Sequence, residues 1–300
     1  MVETLSDLRN KFRRENIAIQ FIYINIAIFL IISLIKLGLY LFNLDINWIL
    51  DILSLPASLK SILYKPWTII SYMFMHNGIL HILFNMLLLY WFGQFFLHYF
   101  SAKHLRGLYI LGGIIGGLFF VIAYNLFPIF KPLTSTATLL GASAAVLAIV
   151  IASACRNPNQ EVRLLLIGSI KLKYIALFVI AIDLLTITSD NPGGHIAHLG
   201  GAFSGYIFAM NLAKGRDLTL WINNIIDFPL FISHKIKERK KKKKMKVVYK
   251  ANTKRQDDYV YNAEKKAASE EIDKILDKIK ESGYHNLTDE EKQKLFNASK

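Results

Sequence analysis

Four side chains of this 300-residue chain have types and spacing that could do chemistry together. Ser143 is a hydroxyl nucleophile, weak until a base takes its proton. An imidazole such as His198 suits that task near neutral pH. His81 and Asn85 stand four residues apart and so share one face of a helix. They carry N–H donors of the kind a tetrahedral oxyanion needs, and the backbone N–H of Ser143 is a third. Nucleophile, base and donors together define acyl transfer. No carboxylate stands near these residues in the sequence, so the expected machinery is a Ser143–His198 dyad.

The elements that must position them are read from the apolar residues. Hydrophobic residues make up 53% of the chain and charged ones only 19%. A soluble domain has about 45–50% and about 25%, which argues against a soluble globular enzyme and against a disordered chain. The lone Cys155 excludes an intramolecular disulfide framework and any multi-Cys metal site. Long apolar blocks lie near residues 17–42, 77–99, 105–127, 139–155, 172–188 and 193–213. Each is close to the roughly 17–25 residues that cross a bilayer. The first is too long for a signal-peptide core and lacks a small-residue cleavage site, so it reads as an uncleaved anchor. The expected fold class is an all-α membrane protein of six transmembrane helices with a basic cytoplasmic C-terminal tail.

Positive charge sets the orientation. With the N-terminus cytoplasmic, the inner short segments carry ten Lys/Arg and the outer loops only Lys60, Lys65 and Lys131. Both termini are therefore expected inside a cytoplasmic membrane. His81, Ser143 and His198 then fall about five residues past the outer ends of the second, fourth and sixth helices. At ~1.5 Å per residue this is one depth, roughly 7 Å below the surface. Polar groups inside a bilayer are expensive, and a water-filled cavity opening outward would reconcile them with it. Taken singly, a membrane serine bonds back to the backbone and a membrane His or Asn bonds a neighbouring helix. Three helices bringing such groups to one depth point to a site.

Small residues supply the contact. Ala197, Gly201, Gly205 and Ala209 recur every four residues on the sixth helix, a stripe that permits close backbone approach. Gly141, two residues before Ser143, is expected at the same contact, bringing the fourth and sixth helices together. Gly112, Gly113, Gly116 and Gly117 read as packing alone.

The organisation expected is an N-terminal segment 1–16, a membrane domain 17–213, a basic juxtamembrane linker 214–249 and a small helical tail 250–300. Of the net charge of +14, the residues from 214 onward carry +8. The run Lys235–Lys246 fits first a solvated, topology-enforcing charge run, and nearly as well attraction to anionic lipid. No interleaved aromatic platform accompanies it, so no nucleic-acid partner is expected. In the tail, Ile272, Ile275, Leu276 and Ile279 keep helical spacing before Gly283, and Thr288 with Glu291 forms a capping-box pattern.

The segment Gly141-Ala142-Ser143-Ala144, with His81-x-x-x-Asn85 upstream and Ala197-His198-Leu199-Gly200-Gly201-x-x-x-Gly205 downstream, resembles the rhomboid intramembrane serine proteases. The resemblance covers roughly residues 17–213. It implies a rhomboid-like six-helix bundle that cleaves membrane-anchored proteins in or near their transmembrane segments, with substrate entering beside the fifth helix. It implies Ser143 as nucleophile, His198 as general base and an oxyanion site lined by His81 and Asn85. Trp67 matches a family aromatic in the loop after the first helix. No metal or organic cofactor is implied. Three positions depart from the family: Ala144 replaces the usual Gly, Leu147 replaces an aromatic that stacks on the histidine, and His195 adds a second imidazole, read as a rim residue.

Rival classes are weaker. A catalytically silent rhomboid-like protein that binds transmembrane helices would usually lose Ser143 or His198. A metalloprotein built on His76, His81, His195 and His198 has loose spacings and neither thiolate nor nearby carboxylate, and the HExxH motif is absent. An aspartyl protease needs two aspartates. Asp183 is the only acidic residue in an expected span, read as meeting water or a neighbouring polar group. Substrate identity and oligomeric state are not written in the sequence.

Overall fold

The computed structural model of the chain describes residues 5–45, 47–164, 168–188, 191–229 and 255–298. It has two compact units, Met1–Leu230 and Phe231–Lys300. The lysine run at 235–246 and most of the expected linker lie outside the described residues.

In the first unit the described helices are α1 (Leu5–Arg14), α2 (Ile17–Leu41), α3 (Asn47–Leu53), α4 (Leu59–Tyr64), α5 (Thr68–Ser71), α6 (Ile79–Tyr99), α7 (Ala102–Leu126), α8 (Ser143–Arg156), α9 (Leu172–Leu185), α10 (Pro192–Ala213) and α11 (residues 220–229). Local chemistry starts several of them. Asn16 Oδ1 accepts from Ile19 N–H at the start of α2. Ser101 and His104 form a capping box on α7, and Asn191 caps α10, with Pro192 as its first residue.

The six apolar blocks correspond to α2, α6, α7, α8, α9 and α10. Among the described residues α2, α6 and α7 are long and apolar enough to cross a membrane. The chain is a membrane protein with apolar helices. On α2 only Ala18, Phe21 and Asn25 are buried, while Leu34, Leu37 and Tyr40 are exposed. An apolar helix with an apolar exterior suits hydrocarbon rather than water. Helices α8 and α9 have 14 residues each. That is ~21 Å, short of the ~30 Å hydrocarbon core.

The short α8 is the centre of the unit. It packs against α6, α7, α9 and α10, and every residue from Ala144 to Ala154 is buried. Glycines on two neighbours hold it. A Cβ on Gly201 or Gly205 of α10 would lie 2.2 Å from the carbonyl oxygen of Ala144 or Ala148. On the α7 side, a Cβ on Gly116 or Gly112 would lie 2.6 Å from the Cβ of the same two alanines. Ala144 and Ala148 are thus clasped between glycine pairs, each spaced by four.

The fourth helix starts later than expected. Residues 139–142 are not helical: β2 (Thr138–Leu139) pairs antiparallel with β1 (Leu55–Pro56). Gly141 has φ +127°, and its N–H donates to the carbonyl of Tyr72. Strand pairing and a left-handed glycine both forbid helix there, so the chain enters the bundle extended and turns helical at Ser143. A second short pair, β3 (Glu161–Leu164) with β4 (Gly168–Lys171), joins α8 to α9. These two pairs are the departures from an all-α chain among the described residues.

In the second unit α12 (Arg255–Ser282) and α13 (Asp289–Ala298) form a helical pair. Gly283 has φ +80° at the end of α12. Glu291 accepts from Thr288 N–H, and Thr288 Oγ1 accepts from Glu291 N–H. Ile275 and Leu287 are buried between them, and Lys278–Glu291 and Lys294–Glu271 ion pairs cross the turn.

Candidate active site

Ser143 is the first residue of α8. The first N–H groups of a helix have no intrahelical acceptor, and the helix dipole favours negative charge at that end. The amides at the start of α8 therefore favour negative charge beside the Ser143 hydroxyl. His198 stands on α10, seventh from its start, and His81 on α6, third from its start. The expected equal offset of five residues is not observed: α6 starts at Ile79, α8 at the serine itself and α10 at Pro192.

Ser143 Oγ lies 2.6 Å from His198 Nε2. The other ring nitrogen, Nδ1, lies 2.8 Å from Oδ1 of Asp183 on α9. A carboxylate only accepts, so Nδ1 carries the proton and Nε2 is left to accept from the serine. This corrects the expectation that no carboxylate stands near the pair. Asp183 is buried, and the neighbouring polar groups it meets are imidazoles. His195, partly exposed, also meets this carboxylate: its Nδ1 lies 2.8 Å from the same Oδ1 and 3.3 Å from Thr186 Oγ1. Asp183 Oδ2 is buried and has no hydrogen-bond partner among the described residues. Asp183, His195 and His198 each offer one metal-ligating atom, all within 4.8 Å of one another.

Asn85 is buried and lines one cavity with Ser143 and His198, enclosed by Val146, Leu147 and Val150 of α8 and Ile175 and Val179 of α9, with a volume of about 100 Å³. One Asn85 amide proton is committed to His81 O, 2.9 Å away, which leaves the second available. His81 Nδ1 accepts from Asn77 N–H at 3.4 Å, which puts the ring proton on Nε2 as a donor. The ring lies over Gly141, where a Cβ would be 3.0 Å from His81 Nε2. Gly141 thus makes room for His81 and turns the chain into α8; it does not sit at the α8–α10 contact. His76 packs its ring edge-on to His81 with centroids 5.2 Å apart. Both its ring nitrogens are buried without a partner among the described residues.

The family departures have physical counterparts here. The Ala144 methyl fits because Gly116 faces it. Leu147 lines the cavity beside the serine, and Asp183 supplies the orientation of the imidazole that a stacked aromatic would give. The Trp67 indole N–H donates to Ile52 O at 2.8 Å and so ties the start of α5 to α3. Asp183 and His195 were the residues the sequence did not assign to the site. An acidic residue inside an apolar span, with two histidines three apart on the next helix, was the signal available.

The arrangement defines a class: a helical membrane protein with a partly buried, imidazole-bound serine at a helix start. A model of the rhomboid domain matches residues 64–215, half of the chain, and the chain belongs to the rhomboid family. It is 32% identical over 158 residues to the RHOMBOID-like protein 12, mitochondrial, of Arabidopsis thaliana, a match covering 50% of this chain and 47% of that protein. The chain thus spans about half the length of the curated relative it matches. Residues 257–300 match a family of unknown function, DUF6576.

Proposed function

We propose that the protein is an intramembrane serine endopeptidase that cleaves membrane-anchored proteins in or near their transmembrane segments. The observation that carries this reading is the 2.6 Å contact between Ser143 Oγ and His198 Nε2, with Nδ1 of the same ring held by Asp183. Ser143 Oγ attacks the scissile carbonyl carbon while its proton passes to His198 Nε2. The oxyanion accepts from the Ser143 N–H, the second Asn85 amide proton and His81 Nε2–H. His198 then gives its proton to the leaving amine, and an acyl-enzyme forms on Ser143. Water attacks that ester through the same base and restores the serine. Asp183 keeps Nδ1 protonated and stabilises the imidazolium, so Ser143, His198 and Asp183 act as a triad rather than the expected dyad.

Six spans in a cytoplasmic membrane, with both termini on the Lys/Arg-rich side, fit this reading. In it, α8 and α9 complete their crossings through the short connections at their ends. Substrate helices enter beside α9, whose Ile175 and Val179 border the cavity. The lysine run meets anionic lipid on the cytoplasmic side. The chemistry needs no cofactor.

The test is labelling of purified protein in detergent with a fluorophosphonate probe, comparing wild type with Ser143→Ala and His198→Ala. The expected outcome is labelling of wild type only, with cleavage of a transmembrane reporter falling by at least about 10³-fold in either variant. A folded wild type that takes no label would leave the silent, helix-binding reading standing.

A further inference from the structure

We propose that Asp183, His195 and His198 form a divalent-metal site of the zinc type, and that metal bound there switches the serine off reversibly. Two imidazole nitrogens and a carboxylate oxygen are a standard Zn²⁺ donor set. Here Nδ1 of both rings already converges on one atom, Asp183 Oδ1, at 2.8 Å each. A second observation points the same way: Asp183 Oδ2, buried, has no hydrogen-bond partner among the described residues. It is positioned to share a cation with Oδ1. Both rings are partly exposed, His195 by 20% and His198 by 25% of their side chains, which gives an ion and its completing water a way in.

Two of the three ligand–ligand distances are already short, and the third lies within 4.8 Å. Zn–N and Zn–O bonds of about 2.0–2.2 Å at tetrahedral angles put ligand atoms about 3.3 Å apart. The present 2.8 Å contacts need open by only about half an ångström. Spacing three on α10 keeps both histidines on one side of that helix, and the carboxylate comes from the packed face of α9.

The consequence for catalysis rests on the reading of His198 as the base; metal binding itself does not. In the metal-free site Nδ1 holds the ring proton and Nε2 accepts from Ser143. A metal ion takes the Nδ1 lone pair, and the neutral ring keeps its one proton by carrying it on Nε2, exchanged through solvent. The His198 nitrogen facing Ser143 Oγ then donates instead of accepting and cannot take the serine proton. The charge on the ion also opposes formation of an imidazolium. Nothing is oxidised or reduced, and removing the metal restores the original tautomer.

The experiment uses the full chain in detergent. Zn²⁺ binding is measured by equilibrium dialysis on wild type, Ser143→Ala, His195→Ala and Asp183→Asn, and site geometry by the visible absorption of bound Co²⁺. Fluorophosphonate labelling is then followed as Zn²⁺ is added and removed with a chelator, each variant against its own metal-free rate. The expected result is one Zn²⁺ per chain in wild type and Ser143→Ala, and at least about tenfold weaker binding in His195→Ala and Asp183→Asn. Wild-type labelling should be suppressed at saturating Zn²⁺, restored by chelation, and should require about tenfold more Zn²⁺ in His195→Ala. No stoichiometric binding, or binding unchanged in the His195 and Asp183 variants, overturns the proposal. So does specific binding that leaves labelling untouched. A wild type that binds Zn²⁺ at this site but takes no label even without metal refutes the hydrolase reading and, with it, the switch, while leaving the metal site in place.

Discussion

Ser143 Oγ and His198 Nε2 stand 2.6 Å apart, although 55 residues separate them in the chain. The contact exists because α8 and α10 touch backbone to backbone, and the residue that permits this is Gly201. A Cβ there would lie 2.2 Å from Ala144 O and 2.9 Å from Ala144 Cα, against atoms that cannot rotate away. Gly201→Ala should therefore force the helices apart, cost about 1–3 kcal/mol of stability and lower serine labelling together with it. Thermal unfolding in detergent reads the first effect and the fluorophosphonate probe the second. Gly38→Ala on α2, where nothing lies within 4 Å, is the control and should leave both unchanged or slightly improved.

In the proposed mechanism Asp183 acts through the imidazole, so its loss should show in the chemical step. Asp183→Asn offers an amide that donates to Nδ1, which favours the wrong tautomer of His198. We expect kcat to fall by about 10²–10⁴-fold with KM nearly unchanged, as measured on a transmembrane reporter substrate. A KM effect alone would mean that Asp183 only shapes the cavity.

Gly141 answers to two constraints at once. Its φ of +127° is a conformation that side chains rarely adopt, and a Cβ would meet His81 Cε1 and Nε2 at 3.0 Å. Gly141→Ala should displace either the His81 ring or the start of α8. The expected outcome is a loss of kcat exceeding the loss of thermal stability, because strain at this turn acts first on the oxyanion donors and on the position of Ser143.

Away from the site, Asp227 on α11 joins Lys103 and Arg106 near the start of α7 at 3.1 and 2.8 Å. The hydrogen bond from Lys103, and then Arg106, hold its carboxyl below the usual carboxylate range. A carboxyl lowered in the folded state lends stability above its unfolded value of about 4. That stability is lost as pH falls through the lowered value. The unfolding temperature of wild type should therefore drop on acidification below about pH 4, and Asp227→Asn should remove part of that drop. An identical acid profile for both proteins would count against the anchor. The pair is partly exposed, so the effect is small and should shrink with salt.

Much of this protein is legible along the chain. Apolar block lengths mark the apolar helices, of which α2, α6 and α7 are long enough to cross a membrane, because desolvation of the backbone leaves few options in hydrocarbon. The residue types at 81, 85, 143 and 198 name the proposed chemistry, and the four-residue glycine spacing on α10 names a close helix contact, since both follow from local helical geometry. What only the tertiary structure decided depends on rotation and axial offset between helices. Helix α8 is apolar nearly all round, so no face of it announces its neighbours; its clasp by α7 and α10 emerges from their glycines meeting Ala144 and Ala148. The start of α8 at Ser143 is set by Gly141 and by pairing of β2 with a strand more than 80 residues earlier. Asp183 was visible as a charge in an apolar span, but its partner was not. The offset between α9 and α10 is fixed by packing and by their connection, and it brings one carboxylate oxygen within 2.8 Å of two imidazoles.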